Sequence, residues 1–212
     1  MSTSTREQDL SALLSGAIEL ARSGKGTGGP PHDAVDRLIT AYYRHVAAED
    51  ISERTAEDLY GAFASHYKTA DSRPQGTARV RVLTPTTAEH GWSADGHSVV
   101  EVVVDDMPFL VDSLTMELSR LLHDVHVVVH PLFDVTRDIT GALQEARPVA
   151  DGVDGEVAGG VVRESWMHVE IDRLAEGEDI AEMEDAIQRV LRDVRESVED
   201  WDKMHAQVDD IV

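Results

Sequence analysis

Cysteine is absent from the 212-residue sequence, which excludes disulfide bridges, cysteine-ligated zinc sites and cysteine nucleophiles. Basic residues are also scarce: 19 Lys and Arg stand against 41 Asp and Glu, a formal net charge of −22. A protein that binds nucleic acid or an anionic membrane surface needs clustered Lys and Arg to meet the phosphates. The composition therefore argues against both partners and favours an acidic, well-solvated surface.

Long apolar runs are missing as well. The N-terminus, Met1–Glu7, lacks the apolar core of a secretory signal, and no segment approaches the roughly 20 apolar residues of a membrane-spanning helix. We therefore predict a soluble cytoplasmic protein. With 42% hydrophobic residues in 212, the chain can bury a real core and supports one or two domains.

The first part of the chain is predicted to be helical. Residues 1–31 read as a flexible N-terminal segment with one helix, about Arg6 to Arg22, followed by a Gly- and Pro-rich linker. Gly24, Gly26 and Gly29 within that linker match a dinucleotide-binding spacing. A helix precedes them and prolines follow, whereas that motif needs a strand before and a helix after, so the nucleotide interpretation is rejected.

Residues 32–74 are predicted to form a helical subdomain. Apolar spacing indicates one helix from His32 to about Glu49 and a second from Thr55 to about Lys68, with capping residues over 52–55. The break at Asp71–Gly76 marks a domain boundary.

Residues 75–212 are predicted to form an α+β domain, because the apolar period there changes from helical to extended. The order after the first strand is β-α-β-β-α, a ferredoxin-like unit without its last strand. We expect the first strand to complete the antiparallel sheet, helices to cover one face and the other face to be open to a partner. The predicted elements are strands Arg79–Leu83, His97–Asp105 and Val161–Ile171, a β-rich run over 124–137, and helices Asp106–His123 and Asp179–Val212.

Two further segments of this domain carry expectations. Residues 138–160 are rich in Gly, Asp and Ala and are predicted to be a long, mobile hairpin connection. The last helix has an apolar seam that persists to the end of the sequence without a stop signal. Such a stripe is too long for a small two-layer domain to cover, so we expect it to pair with another chain or with a continuation of this one.

The segment Val99–Ser113 joins a buried strand to a helix through two acids and a proline. A strand-to-helix turn of this kind could aim backbone N–H groups at a small anion. The structural alternative is that Asp105 or Asp106 caps the helix, with Phe109 in the core and Asp112 and Ser113 supporting either role. The candidate effector-binding or helix-capping residues are Asp105, Asp106, Met107, Pro108, Phe109, Asp112 and Ser113.

Six stretches of the sequence together resemble the N-terminal region of the large bacterial NAD-specific glutamate dehydrogenases. They are Gly91–Trp92, Asp105–Ser113, Thr115–Leu118, His130–Pro131, Glu164–Ile171 and Val198–Trp201. The resemblance implies an ACT-like regulatory domain after a small helical segment. It also implies that the catalytic domain, which uses NAD to oxidise L-glutamate to 2-oxoglutarate and ammonia, lies elsewhere in a longer chain.

The same resemblance implies that this region holds no catalytic residue, cofactor or metal. Its expected partners are the rest of the dehydrogenase chain, other subunits of a homo-oligomer and an amino-acid effector. Residues 106–109 also resemble the first four positions of the D-x-P-G-x-L loop of amino-acid-binding ACT domains, but Phe109 replaces the glycine and obstructs close approach of a ligand. The alternative functions are a stand-alone ACT-type amino-acid-binding protein and, with less support, an independent enzyme.

Histidines raise the question of a metal site. His126 and His130 share one strand face but lie roughly 13 Å apart at about 3.3 Å per residue, too far for one zinc ion. His168 on another strand could join only one of them. Ordinary sheet histidines are the preferred interpretation, and the acids of the last helix are assigned to a solvated surface.

Overall fold

The computed structural model describes residues 3–23, 30–150, 159–175 and 180–209. None of the helices in these ranges is both long and apolar enough to cross a membrane. The described elements are helices α1 (Thr3–Arg22), α2 (Val35–Tyr42), α3 (Ala48–Ile51), α4 (Ala56–Thr69), α5 (Thr87–His90), α6 (Leu110–Arg120) and α7 (Ile180–Asp209), and strands β1 (Arg79–Leu83), β2 (Ser98–Asp105), β3 (Val125–Val129), β4 (Leu132–Arg137), β5 (Leu143–Pro148) and β6 (Val161–Ile171).

The six strands form one antiparallel sheet in the order β1-β2-β6-β4-β5, with β3 paired to the other half of β6. β6 lies between β2 and β3 and so splits the β2-α6-β3 unit, as in ferredoxin-like folds. β1 pairs antiparallel with β2, with Arg79 opposite Val103 and Leu83 opposite Val99. The α+β prediction and the placement of β1 at the sheet edge are both confirmed.

Strand β5 corrects the prediction of a mobile hairpin connection over residues 138–160, because part of that connection is an ordered strand of the sheet. It pairs with β4, and the Leu143 amide donates to the carbonyl of Asp71. Gly141 makes this contact possible, since a Cβ there would lie 2.6 Å from the carbonyl oxygen of Arg73. The strand therefore depends on a distant loop of the helical segment, which no local pattern reveals. Residues 151–158 lie outside the described ranges.

The helices at the two ends of the chain are confirmed, and so is the capping prediction before α4. Thr55 begins α4 with a capping box: its hydroxyl accepts from the Asp58 amide, and the Asp58 carboxylate accepts from the Thr55 amide. Part of the Gly-rich linker, residues 24–29, lies outside the described ranges. The last part of the seam predicted on α7 also falls outside, since side chains are described only as far as Trp201.

The prediction of one helix from His32 to Glu49 is wrong, because the chain turns after Tyr42 and resumes as the short helix α3. Tyr42 and Tyr43 are both buried, although adjacent residues on a continuous helix point about 100° apart. The turn lets both rings reach the core, where the Tyr43 hydroxyl donates to the carbonyl of Leu59.

Helices α6 and α7 cover one face of the sheet, as expected. Alternate residues of the strands pack against them, and β2 is buried on both faces as its continuous apolar run predicts. The main members of this core are Val80, Val82, Val100, Val102, Val104, Leu114, Leu118, Met167, Val169, Ile171, Met183, Ile187 and Leu191.

The other face of the sheet is not open, which corrects the second part of that prediction. Helices α2 and α4 pack on it through Leu38, Ile39, Tyr42 and Phe63, against strand residues such as Val103, Val129, Phe133, Val135 and Trp166, and α1 packs on these helices. The N-terminal helices and the sheet therefore share one core. The helical segment that the sequence predicted as a separate subdomain covers the sheet face that was expected to be open to a partner.

His66 of α4 is a fully buried polar link in this second layer. Its Nε2 lies 3.1 Å from the carbonyl oxygen of Val102, and its Nδ1 lies 2.8 Å from the Tyr42 hydroxyl. Because a carbonyl can only accept, Nε2 carries the proton and Nδ1 accepts from the hydroxyl. Burial, reinforced by His168, lowers the pKa of His66 from 6.5 to about 3.

We predict that His66 makes the protein sensitive to mild acid. The unfolded chain binds a proton at His66 below its ordinary pKa near 6.5, but the folded protein does not until about pH 3. Stability should therefore fall as pH drops through this window, by up to about 1.4 kcal/mol per pH unit. His66→Gln, which offers both a donor and an acceptor, should reduce by about one the number of protons taken up on unfolding, and the free energy of unfolding should then depend less on pH.

Urea unfolding between pH 7.5 and 5 measures this dependence. His32→Gln, a change at an exposed histidine, is the control and should leave the slope of the wild type unchanged. An equal slope in His66→Gln and the wild type would contradict the assignment.

Candidate functional site

The loop that follows β2 does not form the acid-capped helix start that the sequence predicted. Helix α6 begins at Leu110, so Pro108 precedes the helix rather than occupying its first turn. The N-cap residue is Phe109, and no side chain caps the helix. The prediction that Asp105 or Asp106 caps α6 is therefore wrong.

Phe109 adopts a left-handed backbone conformation, with φ of 70°. An L-residue other than Gly, Asn or Asp pays about 1–2 kcal/mol for this conformation. Phe109 thus has a backbone conformation that glycine adopts without steric cost, at the position where the D-x-P-G-x-L pattern has glycine, but with an aromatic side chain. The strain is local, and it occurs at the centre of the predicted site.

The side chain of Phe109 is 69% exposed, so the prediction that it packs in the core is wrong. With Ser113 it forms one wall of a groove of about 350 Å³, whose other wall is formed by Val190, Asp193, Val194 and Ser197 of α7. Met116, two turns along α6 from Phe109, is 72% exposed. The loop therefore presents an apolar surface beside α7 rather than a closed ligand pocket.

Asp105, the last residue of β2, is held by two arginines from different parts of the chain. Arg73, in the connection between α4 and β1, donates to Oδ1, and Arg195 of α7 donates to Oδ2 at 2.8 Å. Both carboxylate oxygens are thus occupied from opposite layers of the fold. Asp105 acts here as an anchor for the loop rather than as a free ligand-binding acid.

Glu164 of β6 is the second acid of this network and is completely buried. Arg73 donates to it through Nε at 3.0 Å and through Nη2. Arg137 adds bonds to both oxygens at 2.7 and 2.9 Å, and Trp166 Nε1 donates at 3.1 Å. Paired, hydrogen-bonded charges of this kind are the form in which charged groups are tolerated inside proteins.

The remaining loop residues lie around this anchor. The Asp106 amide donates to the carbonyl of Arg163 at 2.9 Å. Met107 packs, partly buried, against the core beneath α6 and α7. Asp112 is an exposed acid in the first turn of α6, where it complements the helix dipole.

A second buried polar cluster surrounds Glu170 of β6. Arg54 pairs with it, and His168 Nε2 lies 3.5 Å from Oε1. Burial alone would raise the pKa of Glu170, but these partners outweigh it and the pKa is lowered. Arg54 Nη1 and His168 Nδ1 have no hydrogen-bond partner among the described residues, and both residues line a cavity of about 10 Å³, enough for one water molecule.

The histidines considered for a metal make other contacts. His126 bonds to Asp172 at 2.8 Å and stacks on His97 with ring centroids 4.3 Å apart. His130 lies 2.5 Å from the Ser165 hydroxyl. Across the described ranges, no group of three His, Asp or Glu residues is arranged to hold a metal ion.

Sequence reasoning missed the arginine–carboxylate network, although one signal for it was present. Glu164, Trp166, His168 and Glu170 alternate along β6 and so share one face. Trp166 on that face implies burial, and buried acids require basic partners. Arg73 itself could not be found, because it lies in a loop that the sequence marks only as a boundary.

Residues 38–187 match the family model described as glutamate dehydrogenase, ACT1 domain. The chain is 36% identical over 173 residues to the NAD-specific glutamate dehydrogenase of Halomonas elongata, and 32% identical over 171 residues to that of Pseudomonas aeruginosa. These matches cover 82% and 81% of this chain but 10% of each relative. The resemblance inferred from the sequence is confirmed.

A third relative, the NAD-specific glutamate dehydrogenase of Mycobacterium tuberculosis, is 30% identical over 131 residues, which are 62% of this chain and 8% of the relative. The chain thus spans about a tenth of the length of the relatives it matches. No solved structure matches it.

We predict that Arg73→Met destabilises the protein by about 3 kcal/mol, because it removes one partner of a buried ion pair. Arg147→Met is a suitable control, since Arg147 forms an exposed pair with Glu145 and its loss should cost less than about 1 kcal/mol. Urea unfolding monitored by circular dichroism gives both values. Equal losses in the two variants would contradict the structural importance of Arg73.

We predict that Phe109→Gly is more stable than Phe109→Ala by about 1 kcal/mol, because alanine keeps the left-handed strain and glycine does not. Both variants lose the same exposed ring, so their difference reports the backbone alone. Thermal or urea unfolding of the two variants measures it. If Phe109→Ala were the more stable variant, the left-handed conformation would be excluded.

Proposed function

Since this chain belongs to the family of glutamate dehydrogenases with an ACT1 domain, we propose that it is a non-catalytic regulatory and assembly region of such an enzyme. It is the N-terminal region of a longer cytoplasmic polypeptide. The parent enzyme oxidises L-glutamate to 2-oxoglutarate and ammonia with NAD, and its catalytic residues and NAD site lie outside this chain. The chain matches only about a tenth of each relative, which supports placing the catalytic and NAD-binding residues in another part of the enzyme.

The observation that carries the assembly role is Phe109. An exposed aromatic residue in a strained conformation is costly to keep, and such strain is concentrated at functional sites. Aromatic residues are also the side chains that most often dominate binding energy at protein interfaces. Phe109 fits the anchor of a subunit contact better than it fits any role in the core of this domain.

The surface around Phe109 is suited to another subunit of the same enzyme. The groove beside it is walled by Val190 and Val194 of α7, and Met116 extends the apolar area along α6. Farther along α7, Trp201 is 57% exposed. Apolar side chains at the start of α6 and along α7 are of the kind that packs against a second copy of the same surface.

An amino-acid effector is a second candidate role of the same loop. The left-handed backbone at Phe109 is one that glycine adopts without steric cost, so the loop shape is compatible with the glycine of the D-x-P-G-x-L pattern, while the aromatic side chain opposes ligand binding. A site shared between two subunits would accommodate both features, because the ring would form part of the contact beside the ligand.

We predict that the 212-residue chain associates in solution and that Phe109→Ala weakens the association about tenfold or more, through loss of an interface anchor. Sedimentation equilibrium measures the dissociation constant, with and without L-glutamate or L-aspartate as effector. Ile139→Ala removes a fully exposed apolar side chain that does not line the groove beside Phe109, and it should leave the constant unchanged.

A monomeric wild-type chain at high concentration would contradict the assembly role. An association constant that no amino acid changes would contradict effector sensing and leave assembly supported. The chain alone should reduce no NAD in the presence of glutamate, and any such activity would overturn its non-catalytic assignment.

A further inference from the structure

Three of the six strongly exposed large apolar side chains among the described residues lie on helix α6 or at its ends. Phe109 precedes the first turn, Met116 lies in the middle, and Leu122, which is 90% exposed, follows the last turn. The other three are spread over the rest of the described chain. Exposed apolar side chains that gather on one element mark an interaction surface.

Leu122 is held in a left-handed backbone conformation, with φ of 66°, by a complete Schellman motif. The His123 amide donates to the carbonyl of Leu118 at 3.0 Å, and the Leu122 amide donates to that of Ser119 at 3.0 Å. Glycine is the usual residue at this position, because it has no Cβ to clash. Leucine keeps the backbone strained there and exposes its side chain to water, so the local structure gives no reason for it.

The two ends of α6 therefore share one unusual combination. Apart from glycines, three of the described residues have a positive φ: Phe109, Leu122 and Asp95. Aspartate tolerates this conformation, whereas phenylalanine and leucine are strained by it. Both strained residues are exposed and adjoin α6. Because backbone strain is concentrated at functional sites, the strain and the exposed apolar side chains point to the same surface.

The apolar side chains are spaced almost symmetrically about Met116. Phe109 lies about 10 Å before it and Leu122 about 9 Å after it, at about 1.5 Å per residue along the axis. Phe109 and Met116 are two turns apart and so lie on the same side of the helix. A second α6 that runs antiparallel, with a two-fold axis at Met116, therefore places each Phe109 level with the partner's Leu122.

The charges on the same stretch follow the same symmetry. Asp112 and Arg120 are both exposed and lie one turn before and one turn after Met116. Arg120 donates to Glu117 through Nε at 2.8 Å and Nη2 at 2.6 Å, which fixes the guanidinium, and its Nη1 makes no hydrogen bond to a described residue. An antiparallel copy brings this Nη1 level with the partner's Asp112. A parallel copy would set acid against acid, in a chain whose net charge is already −22.

We propose that α6 pairs with α6 of a second copy of this chain, antiparallel about a two-fold axis at Met116. Phe109 of each copy packs on the partner's Leu122, the two Met116 side chains meet on the axis, and Arg120 meets the partner's Asp112. Isologous contacts of this kind are the commonest in homo-oligomers. The pairing rests on the assembly role proposed above and specifies the surface and the register of that assembly.

Single cysteines can report the register, because the 212-residue chain has none of its own. In the full chain, Met116→Cys should form a disulfide-linked dimer under mild oxidation, since the axis brings the two sulfurs within reach. Phe109→Cys alone and Leu122→Cys alone should not, because the two copies of each lie roughly 20 Å apart along the helices. An equimolar mixture of these two variants should form the linked heterodimer. Ile139→Cys, at an exposed site outside α6, is the control for random collision.

A pair of substitutions separates the contact from the stability of the fold. Leu122→Ala and Leu122→Gly both lose the exposed isobutyl group, so both should weaken association about tenfold. The glycine variant should nevertheless resist urea better than the alanine variant, because glycine relieves the left-handed strain. Sedimentation equilibrium and urea unfolding measure the two effects.

A Phe109→Cys dimer linked to itself, no dimer from Met116→Cys, or association that neither Leu122 variant weakens would each overturn the pairing and leave assembly through another surface intact. Linking of Ile139→Cys as fast as Met116→Cys would also overturn it, because the disulfide would then report collision. A monomeric wild-type chain at high concentration would overturn both the pairing and the assembly role, and the occupant of the α6 surface would then be a different protein. The two failures are therefore distinguishable.

Discussion

The buried guanidinium of Arg73 is the contact on which the arrangement of the fold depends. Each of its nitrogens donates a hydrogen bond, to Glu164, to Asp105 and to the carbonyl of Thr77. A charge buried to this degree costs several kcal/mol unless every donor is paired, so the loop after α4 cannot leave its place without exposing two carboxylates. This contact holds the N-terminal helices on the sheet and fixes the end of β2 from which the candidate loop begins.

Helices cover both faces of the sheet, so fewer surfaces of the domain are available to a partner. One edge is also closed, because Glu184 of α7 accepts a hydrogen bond from the Val82 amide of β1 at 2.7 Å, which occupies a donor that another strand would need. The apolar surface around Phe109 lies on the side of the sheet that α6 and α7 cover. This geometry favours α6 and α7 as the surface that contacts another subunit. The open sheet face that the sequence suggested for that contact is covered.

Local sequence patterns predicted the helices and strands that are specified by their own residues. They failed for the elements whose conformation depends on contacts with residues far away in the sequence. The apolar run of β2 and the long seam of α7 could be read directly, as could the capping box at Thr55. Strand β5 could not, since it rests on a bond between Leu143 and Asp71. The same limit applies at the candidate site: the sequence identified the loop through Phe109, but no local pattern indicated its left-handed backbone or the exposure of its ring.

The hydrogen bonds of Arg73 and Asp105 also limit how the domain could regulate an enzyme. A change of internal packing needs an element with two arrangements of similar energy, and every nitrogen of the Arg73 guanidinium already donates a hydrogen bond in the observed arrangement. Asp105 is likewise saturated, with one oxygen bound from the N-terminal segment and the other from α7. The domain therefore suits a rigid platform. Regulation through it would act by changing which subunits meet at the Phe109 surface, because differential affinity between assemblies can shift a population without any rearrangement inside the domain.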